Sequence, residues 1–196
     1  MKSRRGRAPR LPRSYRAGRL LSLLAGDLPS LEMVDLGPGH ARFVTKDGHL
    51  VFEVVERVER RFLGHNEIAQ FRTHSPGDVD GPGRLRVRHT GALRRVGVQV
   101  EATKGVAAVD DLAARASDDA AFETAALPLD FTKFEAVAAD GEWVTTIELM
   151  GATHITIALP PMRNYVRLYP DQADALLSTL AQWRRLLTSR GSVPGN

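Results

Sequence analysis

Cysteine is absent from all 196 residues, which excludes disulfides, thiolate catalysis, Cys-ligated zinc and iron–sulfur clusters together. Lysine is nearly absent too: Lys2, Lys46, Lys104 and Lys133 stand against 23 arginines, a usage that, with abundant Ala, Gly, Val and Leu, suggests a GC-rich bacterial genome. No stretch approaches the ~18 uninterrupted apolar residues of a membrane span. The basic N-terminus is followed only by the short apolar run from Leu20 to Ala25, with Asp27 close behind, so neither a secretory leader nor a membrane partner is expected and the expected location is cytoplasmic. The common catalytic signatures are missing as well: there is no HExxH, no Gly-Lys-Ser/Thr, no G-x-S-x-G, no S-x-x-K and no G-x-G-x-x-G. His40, His49, His65, His74, His89 and His154 include no i,i+4 pair. Metal, cofactor and assignable catalytic residues are therefore all expected to be absent, and the sequence leans away from an enzyme.

What is present is the composition of a globular protein, 43% hydrophobic and 26% charged, long enough for one real core. The formal charge of +4 is unevenly spread. Residues 1–19 hold Lys2, Arg4, Arg5, Arg7, Arg10, Arg13, Arg16 and Arg19 and no acid, while the remainder is mildly acidic. With Pro9 and Pro12 breaking any helix, residues 1–13 read as a disordered basic tail, residues 14–188 as a single domain and residues 189–196 as a disordered C-terminal tail. The acid-free stretch from Arg84 to Arg95 and the acidic stretch 106–142 complement one another, within a chain or between subunits, so a homo-oligomer is an open expectation.

Periodicity predicts the order helix, strands, helix, strands, helix. A first helix is expected over Ser14 to Asp27, a second over Asp110 to Leu127, and a third opening at Pro170-Asp171 with Leu176, Leu180, Trp183 and Leu187 on its apolar face. LEMVDLG, HARFVTKD, RLRVRHTG and RRVGVQVEATKG read as antiparallel strands. The segment 50–63 fits both a helical and a strand period; its valines and aromatics favour a strand, with Gly64-His65-Asn66 as the turn into a return strand from Glu67 to Thr73. Later come Phe131 to Ala138, an Asp140-Gly141 turn, Trp143 to Leu149, Thr153 to Leu159 and Asn164 to Tyr169. The expected class is α+β: an antiparallel sheet in two meanders with about three helices packed on it, a pseudo-duplicated arrangement remaining open.

Two surfaces stand out as candidate binding sites. On a strand, Arg84, Arg86 and Arg88 share a face, flanked by Arg94 and Arg95, and arginine forks suit carboxylate or phosphate; the alternative is a solvated ridge paired to Glu67 or Glu101. In the second, Arg163, Tyr165, Arg167 and Tyr169 alternate tyrosine with arginine, which suits a ligand pocket or base stacking, or else the rim of the core on an edge strand. His65 and Glu67 form a possible polar site: either a surface turn or an acid–base pair, since the H-x-E of zinc deaminases lacks its cysteines here. The loop 74–84, with Asp78 and Asp80, lacks the spacing of a calcium or phosphate loop.

The runs RRFLGHNEIAQFRTHSPGD at 60–78, LPLDFTKFE at 127–135 and PPMRNYVRLYPDQADALL at 160–177 resemble an uncharacterised bacterial family of unknown function. That resemblance implies no activity, no cofactor and no site residue. The sequence therefore leads to a non-catalytic domain that binds a small ligand or a protein partner in its sheet or in a groove between sheet and helices. The second reading is a nucleic-acid-associated protein using residues 2–19 and the Arg84/Arg86/Arg88 ribbon. A third is an enzyme that assembles His65, Glu67 and arginines in one pocket.

Overall fold

The computed structural model describes residues 11–77, 81–91 and 94–189. The chain forms α1 (Arg19–Asp27), β1 (Leu31–Gly37), β2 (His40–Thr45), β3 (Val51–Arg61), β4 (Gly64–Pro76), β5 (Gly83–Thr90), β6 (Gly97–Lys104), α2 (Ala107–Ser117), α3 (Ala120–Ala126), β7 (Phe131–Ala139), β8 (Glu142–Ala158), β9 (Pro161–Val166) and α4 (Pro170–Thr188). All nine strands belong to one antiparallel sheet in the order β1-β2-β3-β4-β8-β7-β5-β6, with β9 paired to β8. The class is thus α+β, with four helices among the described residues.

Strand alternation sorts the residues onto two faces. Phe43, Phe52, Val54, Phe71, Leu85, Phe134, Trp143 and Ile147 are buried on the face that meets Leu20, Leu24, Leu112, Phe122, Leu176, Leu180 and Trp183 of the helices. At about 1.5–3 kcal/mol for each large side chain, this layer carries most of the stability. Trp183 lies 5.2 Å from Phe134 and 5.0 Å from Phe122, ring to ring, and its indole N–H donates to the Thr145 hydroxyl at 2.9 Å. The other face carries a cross-strand row of mainly charged residues, Arg42, Glu53, Arg72, Thr146, Glu135, Arg86 and Glu101.

Several expectations need correcting. Among the described residues only β1 to β4 form a meander; β8 then returns to β4, while the β5–β6 hairpin lies outside β7. With 17 residues, β8 is long enough to span β4 on one side and hold both β7 and β9 on the other, so the two strands expected at 143–149 and 153–159 are one. The expected second helix is two, because the Asp119 side chain accepts the Phe122 N–H and starts a new helix, while the Ser117 hydroxyl turns to the backbone of Val100. Gly18, at φ 83°, is the N-cap of α1, so that helix begins at Arg19 rather than Ser14. The segment from 51 to 61 is a strand, as its valines suggest, but the turn falls at Phe62-Leu63 and His65 lies inside β4. Gly64 is there for close strand pairing: a Cβ on it would stand 1.9 Å from the Thr156 carbonyl oxygen.

Candidate functional site

The β3–β4 ladder stops at the Glu53–Arg72 pair, although β3 begins two residues earlier and β4 runs on to Pro76. Where the two strands part, a slot of about 460 Å³ opens, lined by Arg42, Gly48, Val51, Phe52, Glu53, Arg72, His74 and Arg184. That volume falls in the range of small-molecule sites, roughly 300–1,000 Å³. Alternation in β4 puts Arg72 and His74 on one face, Arg42 enters from β2, and α4 sends Arg184 over the β2–β3 turn, where its guanidinium donates to the His49 carbonyl at 3.2 Å.

The charges in the slot do not cancel. Glu53 is occupied by His40 at 2.9 Å and Arg42 at 3.2 Å, and the His40 contact, ahead of Arg42 and against partial burial, holds its carboxyl below the usual range. Arg72 donates to the neutral Gln70 amide oxygen at 2.6 Å, and its Nε is buried without a partner. Among the described residues, neither Arg72 nor Arg184 has a carboxylate at ion-pair distance. His74 stands 3.1 Å from Glu142 at the slot's outer rim.

A second polar cluster lies at the opposite end of β4. His65 and Glu67 share the helix-facing side, and Glu67 is the cross-strand partner of His154. All three are 1–2% exposed. His65 Nε2 lies 3.1 Å from Glu67 Oε1, and His154 Nδ1 lies 3.6 Å from the same oxygen. Glu67 Oε2 and His154 Nδ1 are buried with no hydrogen-bond partner. Burial, ahead of Arg19, His65 and Arg163 and against the pull of Glu67, depresses the His154 imidazole below its usual value. Among the described residues no group of three His, Asp or Glu side chains is placed to hold a metal ion.

Residues 26–187 match the family described as "Protein of unknown function (DUF3156)". The chain belongs to that family. No curated protein and no solved structure matches it. The matched span contains every side chain of the slot and all three of the buried cluster, whereas Tyr15 and Arg19 lie before it.

The other residues singled out in the sequence serve different contacts. Arg84, Arg86 and Arg88 do share the open face, but Arg86 stands in register between Glu101 and Glu135, and Arg88 pairs with Glu101 at 3.4 Å. Glu67 is not on that face. Arg95 pairs with Asp130. Tyr165 and Arg167 converge on Asp27 at the end of α1: the phenol donates at 2.7 Å, the guanidinium at 2.9 and 3.0 Å, and the Leu168 N–H at 2.9 Å. Burial first, then the Asp27 carboxylate, pushes the Tyr165 phenol well above its usual value. Arg163 is exposed on β9, and Tyr169, 63% exposed, is the N-cap of α4. Asp78 and Asp80 lie outside the described residues, as does most of the expected tail at 1–13.

Sequence reasoning missed Arg42, Arg72, His74 and Arg184 as a group, since they come from four separate stretches of chain. It also missed His154 as the partner of the His65/Glu67 pair. A second groove of about 540 Å³, between α1 and the β1–β2 hairpin, is lined by Ala17, Leu21, Met33 and Ala41 among others. Its polar side chains are Arg19, Ser22 and Asp35; Asp35 already accepts the Gly37 N–H, and Glu56 accepts the Gly18 and Leu21 N–H groups at the start of α1.

Proposed function

We propose that this chain is a non-catalytic binding domain whose ligand is a small molecule ending in an oxyanion, a phosphate or a carboxylate, seated in the slot between β3 and β4. The observation that carries this reading is Arg72: a guanidinium with a buried, unpartnered Nε, lining the same slot as Arg184 and, among the described residues, without a carboxylate at ion-pair distance. Buried donors left without acceptors are rare, and an oxyanion would supply acceptors in the fork geometry that arginine favours. Val51, exposed at the slot, offers apolar surface for the body of the ligand. Nothing in the slot pairs a nucleophile with a base, which is why binding rather than turnover is proposed. The Arg84/Arg86/Arg88 ribbon has acidic neighbours in its own sheet, so it supports a nucleic-acid reading less well.

The test is calorimetric titration of the full chain with inorganic phosphate and with citrate. Saturable 1:1 binding is expected, weakened about tenfold or more by Arg72→Gln and by Arg184→Gln, as removal of a charge-assisted hydrogen bond implies. Arg86→Gln is expected to bind as the wild type does. Equal weakening by Arg86→Gln and Arg72→Gln would contradict the proposal, and a preference for duplex DNA with steep salt dependence would favour the nucleic-acid reading.

A further inference from the structure

A carboxylate stands within reach of Arg72 but does not pair with it. In the β3–β4 ladder Arg72 is directly opposite Glu53 on the same face of the sheet, and side chains so placed have Cβ atoms about 4.5–5.5 Å apart. Glu53 turns instead to His40 and Arg42. Arg72 turns along its own strand to Gln70, two residues back on the same face, and its Nη2 donates to the Gln70 amide oxygen at 2.6 Å. A neutral acceptor is used where a charged one is available.

Gln70 is itself held in place. It lies directly across from Glu148 on β8, and its amide nitrogen donates to that carboxylate at 2.7 Å. Arg57, opposite Ile68 in β4 and so diagonal to Gln70, completes the row with hydrogen bonds of 3.1 and 2.8 Å to the two oxygens of Glu148. Gln70 and Glu148 are 7% and 4% exposed, so water competes little for either. Against burial, Arg57 and Gln70 keep the Glu148 carboxyl below the usual glutamate range, and at neutral pH it only accepts hydrogen bonds. A guanidinium only donates. One orientation of the amide satisfies both neighbours, nitrogen toward Glu148 and oxygen toward Arg72. A glutamate at 70 would set two carboxylates against each other and neutralise Arg72, whereas an aliphatic residue would leave Glu148 one donor short and free Arg72 to pair with Glu53.

We propose that Gln70 is the specificity-determining residue of the slot: it positions the Arg72 guanidinium away from Glu53 and keeps its charge available to an anion, with Arg57 and Glu148 fixing the amide in turn. This assignment rests on the oxyanion reading of the slot and deepens it, since Gln70, Arg57 and Glu148 do not line the slot and act on the ligand only through Arg72. A carboxylate at ion-pair distance would compete with the ligand for the guanidinium. The amide oxygen takes one of its five N–H donors and leaves the charge in place.

The test is a double-substitution cycle on the full chain, read by titration with inorganic phosphate at neutral pH and constant ionic strength. Gln70→Leu keeps every charged group of the slot, yet is expected to weaken phosphate binding about tenfold or more, because Arg72 then pairs with Glu53. Adding Glu53→Gln should restore most of that affinity. The gain should exceed that from Glu53→Gln in the otherwise wild-type chain, which measures only the removal of one repelling charge. Gln70→Glu should abolish saturable binding. The phosphate-free protein gives an independent readout: the Arg72 Nε–H resonance should shift with Gln70→Leu and return toward its wild-type position when Glu53→Gln is added. If Gln70→Leu loses its far-UV circular dichroism, Gln70→Met, equal in length to glutamine, carries the same expectations. Unchanged phosphate affinity in the variant at 70, equal gains from Glu53→Gln in the two backgrounds, or an Arg72 resonance that stays still would each overturn the assignment and leave the slot reading intact. Absence of saturable phosphate binding by the wild type would overturn both.

Discussion

Glu148 shows how the open face of the sheet tolerates a buried charge. It is 4% exposed, yet Arg57 grips it with two hydrogen bonds at 3.1 and 2.8 Å and the Gln70 amide donates at 2.7 Å. Burial alone would raise its carboxyl; the Arg57 and Gln70 hydrogen bonds outweigh that and hold it below the usual glutamate range. Arg57→Ala is expected to cost about 1–3 kcal/mol in urea unfolding at pH 7, less than for a fully buried pair because Arg57 is partly solvated. Since the folded pKa is depressed, this contribution is present above the ordinary glutamate pKa and lost as pH falls through the folded value. The gap between Arg57→Ala and wild type should therefore narrow as pH is lowered below the ordinary glutamate range; a constant gap would place the effect in packing instead. At this same scale the sequence was least informative. His65 and Glu67 were legible as a polar pair, but whether they sit in a turn or a strand depended on Gly64, whose role is set by the Thr156 carbonyl on a strand more than 90 residues away.

At the scale of elements, local pattern was a good guide wherever the partner was also local. The strand at 51–61, the Asp140-Gly141 turn with φ of 55° and 77°, and the helix opening at Pro170 follow from valines, from the positive φ of a tight hairpin and from proline at the first helical position. The misses share a physical reason: a side chain finds an acceptor or donor that periodicity does not report. Ser117 and Asp119 split one expected helix into two, and Glu56, 38 residues from Gly18, caps α1 in place of a local side chain. Close pairing makes β4 and β8 sensitive to a single methyl group. Gly64→Ala should lower stability by about 2 kcal/mol or more, because the obstructing atom is backbone and cannot swing aside. Chemical denaturation of that variant beside Gly26→Ala, where a Cβ meets nothing within 4 Å, separates this clash from the general effect of losing a glycine.

For the molecule as a whole, α+β with an antiparallel sheet was legible, while strand order was not, because β8 pairs with β4 across the whole of the intervening chain from 77 to 141. The slot depends on that topology: β4 continues along β8 after β3 has left it, and α4 crosses at the gap to bring in Arg184. No single segment could have announced a site built in this way. The most direct test follows the arginine Nε–H resonances of isotopically labelled protein by NMR as inorganic phosphate is added at constant ionic strength. The account predicts that the Arg72 signal shifts saturably, with Arg42 and Arg184 following the same curve and Arg84, Arg86 and Arg88 staying still. Small, unsaturating shifts spread evenly over the surface arginines, equal to those given by chloride, would contradict it.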